Sequence, residues 1–91
     1  MSPTGFRYSV QTPDGTFAQG ECDFLVVPTT RGEMGILAEH AAAVASVAPG
    51  ELRVVRNDKE SRVRVGSGLV EVLDSVVRLF VAEADAFRAG G

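Results

Sequence analysis

The sequence has very little of the chemistry on which most enzymes and metal sites depend. Its 91 residues include one cysteine, one histidine and no tryptophan. Cys22 cannot close an intramolecular disulfide, and together with His40 it supplies too few ligands for a metal site, which usually needs several histidines or cysteines. His40 also has no nucleophile elbow of the G-x-S-x-G type around it. We therefore expect a protein that is not an enzyme and that holds no metal ion or other cofactor.

Targeting segments are also missing from the sequence. No apolar run approaches the ~20 residues of a membrane-spanning helix. Residues 1–10 carry polar or charged side chains where a signal peptide would be apolar. The net charge of −3 argues against a surface that binds nucleic acid throughout. These absences predict a cytoplasmic protein without nucleic-acid partners, which reaches a membrane only through other proteins.

What the sequence does contain is a series of short apolar segments separated by turn residues. With 45% hydrophobic residues it has enough for one core, so we predict a single domain over residues 1–91. Residues 6–10 alternate apolar and polar side chains, which is typical of a half-buried strand. Further strands or hairpins are predicted over residues 17–20, 24–27, 51–65, 69–73 and 76–82. The fold class is therefore all-β: an antiparallel sandwich or barrel over about residues 6–82, with a short tail over 83–91 that has one helical turn.

Turn residues predict where these strands reverse. Thr12-Pro13-Asp14-Gly15 combines a proline that presets φ with a glycine that accepts unusual backbone angles. Residues 29–35 are predicted to be a polar, glycine-punctuated loop, the place on a rigid scaffold where recognition residues often lie. Asn57–Glu60 and Asp74-Ser75 are predicted as the tips of two later hairpins.

Residues 38–48 are ambiguous from the sequence alone. Their alanine content favours a helix, which Pro49-Gly50 would end. However, the segment is shorter than the ~12–15 residues that make an isolated helix even marginally stable. Local propensity therefore points to a helix without deciding the matter.

The predicted hairpin over residues 51–65 carries most of the basic side chains, and these allow more than one interpretation. They are Arg53, Arg56, Lys59, Arg62 and Arg64. Such a face can simply protect strand edges from aggregation, or it can dock an acidic partner in a generic interaction module. Lys59, the only lysine, also lies where a swinging-arm carrier domain would place a modifiable lysine. A carrier domain therefore stays open as an alternative at this point.

One stretch of the sequence resembles a known family. Val26-Val27-Pro28, then Gly32-Glu33-Met34-Gly35-Ile36-Leu37, then Glu39-His40-Ala41 are similar to the N-terminal domain of the epsilon subunit of F-type ATP synthases. Further matches are Thr12-Pro13-Asp14-Gly15, Gly20, Pro49-Gly50-Glu51-Leu52-Arg53 and Ser67-Gly68-Leu69-Val70-Glu71-Val72. The register holds from about Phe6 to Ala84 without large gaps. The sequence departs from the family where Ala38-Glu39 replaces a usual Pro-Gly and where Ala42 replaces a proline.

The resemblance implies a flattened β-sandwich of about ten strands, in which residues 43–48 form a strand rather than a helix. It also implies a non-catalytic subunit of the rotor's central stalk, which links the gamma subunit to the c-ring and couples proton-driven rotation to ATP synthesis. Such a subunit lies at the cytoplasmic face of the bacterial inner membrane through its partners, without inserting into the membrane. The family usually continues into two C-terminal helices that restrain ATP hydrolysis. The printed sequence ends before them, and we expect no inhibition from it.

The resemblance also nominates contact residues. Arg31, Gly32, Glu33 and Met34 match the loop that faces the c-ring, and Glu33 is the leading candidate because the c-subunit loops carry a basic side chain. Thr12 and His40 match positions that face gamma. We expect the isolated domain to be a monomer.

Overall fold

The computed structural model describes residues 5–86, and every regular element within them is a β-strand. The ten strands are β1 (Phe6–Thr12), β2 (Gly15–Cys22), β3 (Phe24–Thr29), β4 (Gly32–Leu37), β5 (Ala43–Val47), β6 (Gly50–Arg56), β7 (Lys59–Val65), β8 (Gly68–Leu73), β9 (Val76–Val81) and β10 (Ala84–Ala86). Within residues 5–86 no helix is long and apolar enough to cross a membrane.

The strands form one hydrogen-bonded sheet that folds over into two layers. Its order is β10-β7-β6-β3-β5-β8-β9-β1-β2, with β4 paired to β3. The junction between the layers is the β3–β5 pair, in which Thr29 opposite Val47 is the single residue pair. Layer one therefore contains β4, β3, β6, β7 and β10, and layer two contains β5, β8, β9, β1 and β2. All pairs are antiparallel except β1–β9, which is parallel. The predicted all-β sandwich is confirmed.

The core fills the space between the two layers. Val10 and Leu79 from layer two, and Leu25, Ile36 and Leu52 from layer one, are completely buried. Their side chains alternate along each strand with more exposed ones, as a sheet covered on one face requires. No polar or charged residue among 5–86 is buried. Burial of apolar surface is therefore the main force that holds the layers together.

The predicted loop over residues 29–35 is wrong for most of its length. β3 runs through Pro28 to Thr29 and β4 starts at Gly32, so the connection is a two-residue turn. The hydroxyl of Thr29 donates to the carbonyl of Gly32 at 2.5 Å and accepts from the backbone N–H of Arg31 at 3.2 Å. Gly32 has φ of 108°, which favours glycine. Gly32 therefore begins strand β4 and Gly35 lies within it, although both were predicted to belong to a loop.

Residues 43–47 form a strand, as the resemblance predicted and local helix propensity did not. β5 pairs with β8 along its whole length, from Ala43 opposite Val72 to Val47 opposite Gly68. Val47 is buried in the core. Helix propensity differs among ordinary residues by less than ~1 kcal/mol each, and tertiary pairing overrides such differences.

The helical turn predicted in the tail is also wrong for the tail residues that the structure describes, which end at residue 86. Ala84–Ala86 is strand β10, which pairs antiparallel with Val63–Val65 of β7. The backbone N–H of Gly66 donates to the carbonyl of Glu83 at 2.9 Å, which holds the approach to this strand. β10 covers an edge of layer one that would otherwise stay unpaired. Residues 87–91 lie outside the described part of the chain.

Cys22 lies at the corner where the chain passes from layer two to layer one. It is completely buried, and desolvation raises the pKa of its thiol to about 12. The next residue, Asp23, donates its N–H to Val55 at 2.7 Å and accepts the N–H of Asn57 through its carboxylate at 2.9 Å. Cys22 is therefore a small buried thiol, and Asp23 connects the corner to the β6–β7 hairpin.

Candidate functional site

The turn between β3 and β4 presents the predicted c-ring contact residues. Arg31, Gly32 and Glu33 are exposed, whereas Met34 is partly buried and packs against the core. This division follows from strand alternation, because successive side chains of β4 point to opposite faces. The exposed surface of this turn is therefore its tip with Glu33, and Met34 packs the turn against the core.

Glu33 is held by a cation from another strand. Its Oε1 lies 3.1 Å from Nη2 of Arg53 on β6. Arg53 stands opposite Arg62 of β7, and Arg62 in turn lies 2.7 Å from Glu60 and 3.4 Å from Glu51. We call these five residues the charge ladder. The ladder shows that much of the basic hairpin face predicted from the sequence is matched by carboxylates.

Lys59 does not occupy the tip of its hairpin. The β6–β7 turn consists of Asn57 and Asp58, both in the left-handed region with φ of 52° and 63°. Lys59 is the first residue of β7 and pairs with Arg56. The position required by the carrier interpretation is therefore taken by Asp58, and that alternative loses its main support.

Thr12 shapes its own turn. Its hydroxyl accepts the N–H of Asp14 at 3.1 Å and donates to the carbonyl of Gly15 at 3.3 Å. Gly15 has φ of 119°, so the β1–β2 turn repeats the arrangement of the β3–β4 turn. Thr12 has a structural role in this hairpin whatever else it contacts.

His40 lies at the opposite end of layer two from Thr12. It belongs to the connection between β4 and β5, where its N–H donates to Leu37 at 3.2 Å and its Nδ1 donates to the carbonyl of Ala41 at 2.7 Å. This connection leads into Ala43, the first residue of β5. Thr12 lies at the other end of layer two, the end at which the last residue of β5, Val47, is found. The structure brings Glu33 to Arg53, but it does not bring Thr12 and His40 together.

An apolar stripe on the outer face of layer two was not predicted from the sequence. Val44, Leu69 and Phe80 are 69%, 51% and 48% exposed, and Leu69 and Phe80 are direct neighbours across β8 and β9. A cleft of about 520 Å³ separates Val44 and Leu69 from the β3–β4 turn. Consecutive apolar residues in β8 and β9 were the available signal, because they cannot all point inward.

Nothing in residues 5–86 is arranged as a metal centre. No group of three or more histidine, cysteine, aspartate or glutamate side chains is placed there to hold a metal ion. The described surface instead presents an exposed turn, a charge ladder and an apolar stripe.

Comparison with known proteins decides the family. The family model described as "ATP synthase, Delta/Epsilon chain, beta-sandwich domain" matches residues 5–86. The chain belongs to this family. The ATP synthase epsilon chain of Shouchella clausii is 40% identical over 79 residues, which are 87% of this chain and 59% of the relative. That of Desulforamulus reducens is 40% identical over 83 residues, 91% of this chain and 61% of the relative. This delta/epsilon domain thus spans about three-fifths of the length of these relatives.

Solved structures of ATP synthases contain chains with the same fold as this delta/epsilon domain. One belongs to the Euglena gracilis mitochondrial enzyme, solved as OSCP/F1/c-ring in rotational state 1. It matches with a TM-score of 0.85 and 28% identity over 94% of this chain and 56% of that one. A chain of the Tetrahymena thermophila central stalk and c-ring matches with a TM-score of 0.73 at 18% identity, over 92% of this chain and 74% of that one. The second likeness shows the fold alone.

The family's usual Pro-Gly before the histidine explains a strained residue in this delta/epsilon domain. Glu39 stands in the glycine's place and has φ of 67°, a conformation that L side chains rarely adopt. We expect Glu39→Gly to raise the free energy of unfolding by about 0.5–1 kcal/mol, because relief of a left-handed angle that costs about 1–2 kcal/mol outweighs the backbone entropy of about 0.5–1 kcal/mol that glycine loses. Urea denaturation followed by circular dichroism measures the change. Glu39→Ala is the matched control, since alanine keeps the strain; equal stabilities of the two variants would contradict this explanation.

Proposed function

We propose that this domain acts as a non-catalytic central-stalk subunit of an F-type ATP synthase, linking gamma to the c-ring so that proton-driven rotation reaches the catalytic head. Membership of the delta/epsilon family over residues 5–86 carries the proposal. The likeness to a chain of an ATP synthase that includes the c-ring supports it. In this assembly the domain lies at the cytoplasmic face of the bacterial inner membrane and is held there by its partners.

The mechanism requires stiffness, and the core accounts for it. A subunit that transmits torque must deform little under load, and close-packed interiors have low compressibility. Fully buried residues from both layers interlock, and β3 pairs with strands of both. Ile36 fixes β4, and with it Glu33, to this interior. The domain therefore works as a wedge whose contact turn cannot move independently of its body.

The c-ring contact is assigned to Arg31, Gly32, Glu33 and Met34. Glu33 is the main polar contact because its side chain is 62% exposed and negatively charged, which suits a basic side chain on the c-subunit loops. Met34 contributes indirectly, because it packs the turn against the core. A stable interface of this kind buries about 800 Å² on each partner.

The gamma contact is assigned to Thr12 and His40. They lie at opposite ends of layer two, and β1 with its seven residues spans about 20 Å. A gamma interface that includes both residues must therefore extend over about 20 Å of this layer, which one interface of about 800 Å² can cover.

The c-ring assignment is tested by changing Glu33. We expect Glu33→Lys to raise the concentration of this chain that half-restores ATP-driven proton pumping by about tenfold, which corresponds to ~1.4 kcal/mol of binding. The assay uses ATP synthase depleted of this chain and reconstituted in membrane vesicles. Glu33→Gln separates loss of the carboxylate from the added repulsion between the introduced ammonium group and Arg53.

Glu21→Gln is the matched control, because Glu21 has the same 3.1 Å ion pair with an arginine and is 55% exposed on another part of the surface. Circular dichroism checks that all variants remain folded. Unchanged proton pumping by Glu33→Lys, with normal assembly of the enzyme, would show that this turn is not the c-ring contact.

A further inference from the structure

The Glu33 carboxylate is not free in the isolated domain, and its partner Arg53 is 20 positions away in the sequence. We infer that Arg53 is a positioning residue for the c-ring contact: it fixes one carboxylate oxygen of Glu33 and leaves the other for a basic side chain of the ring. This inference rests on the proposed function and deepens it, because it concerns the partner-binding geometry of the same turn.

Strand register places the two side chains where they can meet. β3 lies between β4 and β6, with Glu33 opposite Pro28 and Arg53 opposite Val26. Pro28 and Val26 are two residues apart, so they lie on the same face of the sheet as each other. Neither has a polar side chain. The carboxylate and the guanidinium therefore reach each other across β3 without a competing side-chain partner between them.

The atoms of the ion pair leave a binding position open. Arg53 donates through Nη2 to Oε1 of Glu33, and within residues 5–86 Oε2 makes no hydrogen bond or ion pair. A carboxylate accepts hydrogen bonds at both oxygens, so it can bind two cationic groups at once. Glu33 is 62% exposed and Arg53 only 34% exposed, so the carboxylate is the more accessible member of the pair.

The rest of the charge ladder directs Arg53 towards Glu33. Arg62 stands opposite Arg53, and like charges in this position repel each other. Glu51 and Glu60 both pair with Arg62. Their two negative charges more than offset the charge of Arg62, and Glu33 is the carboxylate bound to Arg53.

The ion pair lowers the conformational cost of docking. A long exposed side chain loses rotamer freedom when it is fixed in an interface, and this loss opposes binding. Arg53 restricts Glu33 before the partner arrives, so less freedom is lost on contact. It also offsets part of the negative charge of Glu33, and we expect the gain in order to outweigh this loss of attraction.

The experiment is a double-mutant cycle on the reconstituted enzyme. Wild type, Arg53→Gln, Glu33→Gln and the double variant are titrated into ATP synthase depleted of this chain, and the half-saturating concentration for proton pumping is measured. We expect Arg53→Gln to raise this concentration about threefold and to have no further effect in the Glu33→Gln background. Arg53→Lys keeps the charge without the planar fork and is expected to fall between wild type and Arg53→Gln.

The matched control is Arg56→Gln, which breaks the 3.1 Å pair between Arg56 and Glu21 elsewhere on the surface and should leave binding unchanged. Binding by Arg53→Gln equal to or tighter than wild type overturns the inference. So does an equal loss in the Glu33→Gln background, which marks a role independent of Glu33. If Glu33→Gln alone has no effect, the proposed c-ring contact fails together with the inference.

Discussion

Gly68→Ala is expected to remove a large part of the stability of the domain. A Cβ at Gly68, the first residue of β8, would lie 1.9 Å from the carbonyl oxygen of Phe80 and 2.7 Å from Cα of Val81. Both are backbone atoms of β9, so no side-chain rotation can relieve the clash, and β8 must move away from its partner. We expect a loss of at least ~3 kcal/mol in the free energy of unfolding, at the upper end for overpacked sites. A domain of this size has only ~5–15 kcal/mol in total, and small ones lie near the lower limit.

Thermal and urea denaturation followed by circular dichroism measure this effect. A loss of ~3 kcal/mol lowers the melting temperature by at least ~12 °C in a domain of under 100 residues. Gly20→Ala is the matched control: its Cβ would have one neighbour within 4 Å, a ring carbon of Tyr8 at 3.7 Å, which is ordinary contact. If both variants lost less than ~1 kcal/mol, the close approach of β9 to Gly68 would be disproved.

Ile36→Ala is expected to damage both stability and coupling. Ile36 is the one completely buried side chain of β4, and it attaches to the core the strand that carries Glu33. Its truncation should cost about 2–5 kcal/mol, because the lost apolar contacts leave a cavity that the sheet fills only partly. The β3–β4 turn then becomes less well positioned. The concentration of this chain that half-restores proton pumping should therefore rise by more than the lower folded fraction alone explains.

Ile36→Val is the matched control, with an expected loss of about 0.5–1.5 kcal/mol. Denaturation curves give the folded fraction of each variant, and the pumping titration is corrected for it. If the corrected half-saturating concentration of Ile36→Ala equals that of wild type, the turn does not depend on this anchor. A truncation that costs under ~1 kcal/mol would contradict the burial of Ile36 itself.

The strands were largely predictable because their signal is local. Residues 6–10 alternate and lie within β1, and the turn residues Thr12 to Gly15 join β1 to β2 as expected. The β8–β9 hairpin also turns at Asp74 and Ser75, both in the left-handed region. Glycine was the less reliable guide. Gly35 lies inside β4 with its ideal Cβ position 3.3 Å from the ring of Phe24, so it marks close packing rather than a loop.

The functional surface was predictable only in part. The resemblance singled out Glu33, and the structure leaves it exposed. The family match includes Arg53, but neither it nor the periodicity indicated that Arg53 pairs with Glu33. The two residues are 20 positions apart and meet only when β3 brings β4 and β6 together. For the same reason the sequence could not show that Thr12 and His40 lie at opposite ends of layer two.

By itself, the sequence determined the all-β class, most strand positions, the turn over Thr12 to Gly15 and the family, since each depends on side-chain alternation, backbone angles or a contiguous motif. Only the tertiary structure decided that the two-residue turn at Thr30 and Arg31 replaces a longer loop, that Ala84–Ala86 closes an edge, and that Glu33 is paired with Arg53. These features depend on which strands become neighbours. Neighbour choice is set by burial of the whole core, and no local stretch of the chain contains that information.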